Sequence, residues 1–349
     1  MHILLVQFLL LVALAAFLYL APIKKKIREI VFLVIAFAPL WYIHSMVEVG
    51  SVPDTYNYFF AYNYSINSTW KQCALGTGSY EGGYLLLNKL VGLVSSNYYV
   101  FQGIYGFVLI ACYYYAYHKY SPYVIISVLL FLLGGYNPSI YIIREYLAIA
   151  LMVASLPLII ERKLIPFLIL IFCIFFIHQS SIVVLPLYFL YAIKNKRILL
   201  YLLIFSIIAI VGADYFISLI SSMEDRYSGY LDDENYQNWK GAVIAIFEWG
   251  LFFYVMKDTV WEMGINKLLF IMMTIYMIFQ IVSIGRMSIL HRVCAYYAVS
   301  IPFVVPIMIK KAESPLLKVG IVLIFGSLSL YTTFGGNYGL SAFADMRLL

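Results

Sequence analysis

Arg144 is the residue in this sequence whose type and surroundings most directly indicate chemistry. It lies in YIIREYLAIALMVASL (141–156), which is apolar on both sides of Arg144 and Glu145. An unpaired charge at membrane depth is expensive, so an ionisable residue there is a functional candidate by default. A guanidinium binds two oxygens at once and does not deprotonate, which suits a phosphate or a pyrophosphate. The alternatives are an intramembrane salt bridge, for which the adjacent Glu145 is a poor partner on a helix, or a side chain that reaches the outer headgroups.

Three further residues fall near the same depth as Arg144. At about 1.5 Å of helical rise per residue, the distance from the nearest basic turn is about 27–28 Å for Arg144, Arg286 and Arg292, and about 22 Å for His178. These values are close to the outer edge of a hydrocarbon core about 30 Å thick. We predict that Arg144 binds a pyrophosphate, that Arg286 and Arg292 form a second phosphate clamp, and that His178 activates or orients an acceptor. Interface arginines are also common in themselves, and His178 could simply hydrogen-bond the following QSS.

Acidic and aromatic residues follow the second apolar segment. Asp54 lies in SVPDTYNYFFAYNY (51–64) and Glu81 begins EGGYLLLNKL (81–90). Both carboxylates are candidates for accepting a proton, together with His178. Tyr56 and Tyr84 are predicted to contact substrate, because aromatic faces stack on sugar rings. The chain has 33 Tyr, however, and tyrosine is also a usual membrane-interface anchor.

Composition places the whole chain in a bilayer. Hydrophobic residues make up 64% and charged residues 11% of the sequence, and the mean hydropathy is +0.91. The apolar segments do not alternate as the strands of a transmembrane β-barrel do. The first one lacks the flanks of a signal peptide and is expected to be retained. We therefore predict a single all-α transmembrane domain over residues 1–349.

Metal and nucleic-acid sites are not expected. The four cysteines show neither metal-ligand nor paired spacing, and small buried apolar residues account for them. No metal motif appears, so neither a metal ion nor a cofactor is predicted, and nucleic acid is not an expected partner.

Lysine and arginine predict the orientation. Most of the 23 Lys and Arg residues fall between alternate apolar segments: 24–28, Lys119, 162–163, 194–197, Lys257 with Lys267, and Lys310, Lys311 and Lys318. The positive-inside rule makes these turns cytoplasmic and the segments 48–97 and 221–240 external. The pattern predicts about twelve spans with both termini in the periplasm. They lie near 3–21, 29–47, 98–117, 121–135, 138–160, 163–178, 180–193, 198–220, 241–256, 266–284, 292–309 and 316–334.

One apolar segment is not assigned as a span. Residues 81–96 carry Glu81, Asn88 and Lys89, and a crossing there would move every later basic turn outside. We expect this segment to form a short helix along the outer interface.

Several motifs resemble those of a known family. The stretch 142–190, with an Arg, a small-residue helix, a basic turn and a helix ending in HQSS, resembles the signature of the EpsG-like, Wzy-type polysaccharide polymerases. PDTYNYFFAY (53–62), EGGYLLLNKL (81–90) and GRMSILHRVCAYYAVSIPFVVP (285–306) fit the same pattern, and RYSGY (226–230) fits more weakly. Glu145 stands where the family often has Gln or another polar residue.

The resemblance implies a function. It implies an O-antigen or capsule polymerase in the bacterial cytoplasmic membrane, with its active site facing the periplasm. Such an enzyme moves a growing glycan from undecaprenyl pyrophosphate onto a lipid-linked repeat unit. A chain-length regulator and a flippase of the same pathway are the implied partners.

Other classes remain open. A lipid-linked oligosaccharide flippase would spread its charges through the membrane thickness. A membrane O-acyltransferase using acyl-CoA would place its histidine on the cytoplasmic side. A polyprenyl-phosphate-sugar transferase would share an acidic first outer loop.

Overall fold

The computed structural model describes residues 3–194, 196–223, 239–284, 288–331 and 347. In that part of the chain the secondary structure is helical and contains no strand, which confirms the predicted all-α class. The α-helices are α1 (Ile3–Leu20), α2 (Lys25–Met46), α3 (Thr55–Asn67), α4 (Trp70–Leu75), α5 (Gly82–Gly92), α6 (Tyr98–Tyr120), α7 (Val124–Phe131), α8 (Asn137–Ser139), α9 (Ile143–Ile160), α10 (Leu164–Ile177), α11 (Leu185–Ala192), α12 (Arg197–Met223), α13 (Trp239–Met256), α14 (Ile265–Val282), α15 (Ser288–Ala298), α16 (Ile301–Lys311) and α17 (Pro315–Leu330). A π-helical turn, Leu132–Tyr136, joins α7 to α8, and a 3-10 helix, Gln179–Val184, joins α10 to α11.

Six helical segments of the described chain are long and apolar enough to cross a membrane. They are Lys25–Met46, Tyr98–Tyr120, Ile143–Ile160, Trp239–Met256, Ile265–Val282 and Val293–Lys311. The shorter apolar helices are Leu4–Leu20, Val124–Ser139, Leu164–Ile177, Gln179–Ala192, Arg197–Ile208 and Pro315–Leu330. Together these segments coincide with the predicted spans. The number of twelve crossings and the periplasmic location of the termini stay predictions.

Five of the six predicted basic turns, at 24–28, Lys119, 162–163, 194–197 and Lys257 with Lys267, lie together at one end of the helix bundle. Hydrogen bonds and an ion pair connect these turns to one another. The contacts are Lys25 with the Pro122 carbonyl, Lys119 with Glu161, Arg162 with the Tyr188 carbonyl, and Lys267 with the Ile193 carbonyl. Since α9 runs from Ile143 to Ile160, its Arg144 end lies about 27 Å from this basic end. These five turns, which were predicted to share one face of the membrane, therefore share one end of the fold.

The segment 48–97, which was predicted to be external, is more ordered than the sequence indicated. We expected an aromatic loop followed by one short helix, but the segment forms three helices, α3, α4 and α5. Asn and Tyr are mediocre helix formers, so α3 is poorly signalled by propensity. Its buried residues Thr55, Tyr58, Tyr62 and Ser65 recur at helical spacing, and this face packs against α5. Helix α5 has 11 residues and is about 16 Å long, too short to cross the hydrocarbon core.

Arg144 lies at the beginning of a helix. The sequence predicted a continuous span over 138–160, but α9 starts at Ile143, after the short α8 that contains Pro138. The Tyr105 hydroxyl donates a hydrogen bond to the Ile143 carbonyl and attaches this helix start to α6. Helix α9 packs against α6, α10 and α11, and 72% of its residues are buried. Its first turn therefore faces protein rather than lipid.

Two glycines bring α5 close to its neighbours. A Cβ at Gly82 would collide with the Ala74 carbonyl at the end of α4, and a Cβ at Gly83 would collide with the Phe176 carbonyl in α10. The EGGY motif thus permits the backbone approach that places Glu81, at the N-terminus of α5, beside the end of α10.

We predict that Gly83→Ala destabilises the protein by about 1–3 kcal/mol, because the added methyl has to displace backbone rather than a flexible side chain. The measurement is thermal unfolding of the detergent-purified protein. Gly78→Ala is the matched control, since a Cβ at Gly78 meets nothing within 4 Å. Equal melting temperatures for the two variants would show that α5 and α10 do not pack this closely.

We also predict that the α3 segment and the basic end lie on opposite sides of the membrane. In a cysteine-free background, Asn67→Cys should react with an impermeant maleimide in intact spheroplasts. Lys163→Cys, which is also exposed in the fold, should react only after permeabilisation. Labelling of both positions from outside would contradict the topology.

Candidate functional site

The Arg144 guanidinium forms an ion pair with the Glu81 carboxylate. Arg144 Nη1 donates to Glu81 Oε2, and the two side chains are 17% and 7% exposed. The pair joins the first turn of α9 to the N-terminus of α5. A salt bridge was one of the alternatives for Arg144, and the side chain forms one, although its partner is Glu81 rather than Glu145. Arg144 Nε is buried without a hydrogen-bond partner among the described residues, so one donor on this side chain is not used by the ion pair.

His178 lies between two carboxylates. Its Nδ1 is 3.6 Å from Glu81 Oε1, and its Nε2 is 3.9 Å from Glu145 Oε2. His178 is the residue at which α10 ends, and its extended backbone turns the chain into the 3-10 helix. Its imidazole therefore faces Glu81 and Glu145. Glu145, in the first turn of α9, is also in a favourable position for the helix dipole.

Glu81 lies between Arg144 and His178. Its Oε2 contacts Arg144, while its Oε1 faces His178 and lies 3.5 Å from the backbone N–H of Gln179. Burial raises the pKa of Glu81, but the adjacent His178 imidazole and the charge of Arg144 outweigh this effect and lower the pKa to about 2. Glu81 is therefore ionised throughout the physiological range.

Tyrosine rings surround the Arg144 guanidinium. The guanidinium carbon is 4.7 Å from the centre of the Tyr80 ring and 5.8 Å from that of Tyr84. The two rings stack on each other with their centroids 5.9 Å apart, and Tyr58 packs on both. The Tyr80 hydroxyl donates to the Asn57 carbonyl at 2.9 Å and fixes this ring against α3. These cation–π contacts hold the guanidinium at the outer end of α9.

A cavity of about 500 Å³ adjoins Glu81. It lies between the turn that links α4 to α5 and the outer end of α10. Its volume is within the range of about 300–1,000 Å³ that is typical of small-molecule sites.

The remaining predicted residues are placed as follows. Asp54 is exposed at the N-terminus of α3, where its carboxylate accepts a hydrogen bond from Asn57. Tyr56 lies on the exposed face of α3 and packs on Phe59 and Phe60, away from the tyrosine rings around Arg144. The structure thus brings together Arg144, Glu81, His178 and Tyr84, and leaves Asp54 and Tyr56 at the surface.

Arg286 lies outside the described residues. Arg292 falls on α15, where the side chains of the first residues are likewise outside the described part. The weak RYSGY motif (226–230) also falls outside it.

Sequence reasoning missed Tyr58, Tyr80 and Gln179. Tyr80 precedes Glu81 directly and is one helical turn from Tyr84, which is a recognisable spacing. Tyr58 carried no such signal, because its position depends on the folding of α3 against α5.

The family comparison agrees with the motifs. The model of the EpsG family matches residues 30–342, which is nearly the whole chain. The chain belongs to the EpsG family. Membership associates it with polysaccharide-polymerase-like membrane proteins, in agreement with its apolar helices. No curated protein and no solved structure matches the chain.

We predict that the double variant Glu81→Gln/Arg144→Gln folds but is inactive. Removing one charge of a buried pair leaves the other uncompensated, whereas neutralising both avoids that cost, so the double variant tests function separately from stability. Expression level and cellular polymer are the two measurements. The matched control is Lys119→Gln/Glu161→Gln, an ion pair of 3.6 Å at the opposite end of the bundle. Polymer from both double variants would reduce the Arg144 pair to a structural role.

The pH dependence of the protein's stability should follow the ionisation of the Glu81 carboxyl group. Since its pKa in the fold is about 2, below the ordinary value of 4.5, its stabilising effect is present above pH about 4.5 and is lost as the pH falls toward 2. The difference in melting temperature between the native protein and Glu81→Gln should stay constant from pH 8 to 5 and then narrow. A difference that already shrinks between pH 8 and 6 would contradict this account.

Proposed function

We propose that this protein polymerises lipid-linked repeat units of a surface polysaccharide at the outer face of the bacterial cytoplasmic membrane. The growing glycan moves from undecaprenyl pyrophosphate onto the non-reducing end of the next lipid-linked unit. The observation that carries the proposal is the Arg144–Glu81–His178–Glu145 cluster. It lies at the end of the bundle opposite the basic turns and beside a cavity, in a chain of the EpsG family.

The reaction is a displacement at an anomeric carbon. A hydroxyl oxygen of the acceptor sugar bonds to the anomeric carbon of the donor glycan, and the bond from that carbon to the pyrophosphate oxygen breaks. The hydroxyl proton passes to His178, and the undecaprenyl pyrophosphate leaves as an anion. Glu81, which faces Nδ1, orients the imidazole in the same way that a carboxylate orients the histidine of a hydrolase triad, and Nε2 is the nitrogen that accepts the proton.

Arg144 stabilises the charge that develops on the leaving group. Because Glu81 already balances its charge, a bound pyrophosphate competes with Glu81 for the guanidinium. A second cation is therefore expected at the same site. We expect Arg292 of helix α15 to supply this cation. The Tyr296 hydroxyl of α15 lies 3.1 Å from Ser180 Oγ in the turn after His178, and Arg292 precedes Tyr296 by four residues on the same helix.

The placement of the cluster favours transfer over the alternative classes. A flippase needs charged or polar groups along a path through the membrane, whereas these groups meet at one end. An acyltransferase that uses cytoplasmic acyl-CoA needs its histidine at the basic end, and His178 lies at the other. A chain-length regulator and a flippase that supplies the lipid-linked unit are the proposed partners.

The test is to delete the gene and to analyse the repeat units that are attached to the surface lipid and to the carrier lipid. Loss of a polymerase should leave the surface lipid capped with a single repeat unit, and complementation should restore the polymer. Loss of a flippase would instead trap lipid-linked units on the cytoplasmic side and leave the surface lipid uncapped. An unchanged polymer lacking only an acyl group would identify an acyltransferase.

Two substitutions separate the proposed roles within the site. His178→Gln should lower polymerisation at least about 100-fold, the usual effect of removing a general base, while the purified protein still retains lipid-linked units. Arg144→Lys keeps the charge but loses the two-pronged guanidinium, so it should weaken retention of those units as well. Both are measured with detergent-purified protein at equal amounts. Normal polymer from His178→Gln would remove this histidine from the reaction.

A further inference from the structure

The cavity beside Glu81 has walls of a particular chemical kind. One wall is the turn Gly76–Tyr80, and the other is formed by Phe175, Phe176 and Gln179 at the outer end of α10. Glu81 lies between the two walls. The described lining includes a hydroxyl, an amide, a carboxylate and aromatic rings, but no Lys, Arg or His.

This set of groups suits an uncharged sugar. A carboxylate accepts hydrogen bonds from hydroxyls, an amide both donates and accepts, and aromatic rings pack against the apolar faces of a sugar ring. A phosphate does not fit, because the ionised Glu81 would repel it and no cation of the described lining offsets that repulsion. The cavity and the Arg144 guanidinium are thus neighbouring subsites with opposite preferences, joined by Glu81.

The turn that forms the first wall is fixed before any ligand binds. Thr77 N donates to the Tyr80 carbonyl at 2.8 Å, and Tyr80 N donates to the Thr77 carbonyl at 3.3 Å. Thr77 Oγ1 also accepts from Tyr80 N at 3.1 Å. Gly76 has φ +71°, a conformation that a residue with a Cβ rarely adopts, and a Cβ there would lie 2.8 Å from the Tyr80 carbonyl oxygen. The wall is therefore pre-organised, which reduces the entropy lost on binding.

We infer that this cavity binds the terminal, non-reducing sugar of the acceptor. The inference rests on the proposed function. Of the two substrates of that reaction, the donor brings a pyrophosphate at the reacting carbon and needs Arg144, whereas the acceptor reacts through a hydroxyl of its terminal sugar, at the end remote from its own pyrophosphate. Glu81 and Gln179 both line the cavity. Glu81 faces the His178 imidazole and Gln179 directly follows His178 in the sequence, so an acceptor hydroxyl held in the cavity meets the proposed base.

The size of the cavity limits what is recognised. A volume of about 500 Å³ holds the end of a glycan and not a long oligosaccharide, so the rest of the repeat unit must extend outside. Acceptor specificity should then depend on the terminal sugar. Exoglycosidase removal of that sugar should abolish acceptor use, whereas shortening the acceptor from its reducing end should not.

The experiment separates acceptor from donor with a soluble oligosaccharide. A repeat unit released from its pyrophosphate and labelled at the reducing end can accept but cannot donate. Proteoliposomes of the full chain receive lipid-linked units, extracted from the deletion strain, as donors. The measured quantity is the soluble acceptor concentration that gives half-maximal transfer.

Phe176→Ala should raise that concentration about tenfold, with retention of the lipid-linked donor unchanged. Phe172→Ala is the matched control, because Phe172 is one turn earlier on α10, is 62% exposed and does not line the cavity. Gln179→Leu provides a second variant with the same expected direction if Phe176→Ala is poorly produced.

Three results would overturn the inference. One is an unchanged acceptor requirement in both cavity variants, and another is an equal effect of Phe172→Ala. The third is a loss of donor retention without a change in acceptor requirement, which would assign the cavity to the donor. Failure of the wild-type protein to transfer any glycan would refute the proposed function itself, and is therefore distinguishable from all three.

Discussion

The Glu81 carboxylate is the group on which the end of this fold opposite the basic turns depends. Arg144 and His178 come from α9 and from the end of α10, and both face this one side chain of α5. Charges buried in apolar surroundings are tolerated only when they are paired and hydrogen-bonded. The three chain segments must therefore converge, and the convergence fixes the site. At the basic end, by contrast, the Lys119–Glu161 pair is exposed, and such pairs contribute little to stability.

The convergence of these segments requires close backbone packing as well as charge pairing. Glu81 reaches the end of α10 because Gly82 and Gly83 allow α5 to touch the carbonyls of Ala74 and Phe176. The same contacts form the edges of the cavity. One short sequence, EGGY, thus supplies a carboxylate, two close approaches and the Tyr84 ring that packs near Arg144. Packing and chemistry are inseparable in this motif.

The ion pair between Arg144 and Glu81 also links anion binding at Arg144 to the environment of His178. Arg144 is neutralised by Glu81 in the structure, so an anion that binds Arg144 changes the environment of Glu81 and of the adjacent imidazole. A pyrophosphate at the guanidinium and a sugar hydroxyl in the cavity would act on opposite oxygens of the same carboxylate. In the proposed reaction, this arrangement would couple donor binding to the orientation of His178 without movement of a helix, because the connection runs through one side chain.

The sequence alone determined the class of the protein and the residues whose burial costs the most free energy. An apolar composition with periodic basic turns predicts a helical membrane protein, and ionisable residues in apolar segments stand out because burying them costs free energy. Arg144 and His178 were selected as candidates in this way and Glu81 as a carboxylate of the predicted external segment, and the family resemblance of their motifs was confirmed. Which charges meet was decided by the tertiary structure, since Glu81 and Arg144 are 63 residues apart in the chain. The same holds for α3, whose Tyr- and Asn-rich sequence is weakly helical by itself and which is stabilised by packing on α5. Local sequence reports what a residue costs to bury, whereas its partner depends on long-range packing.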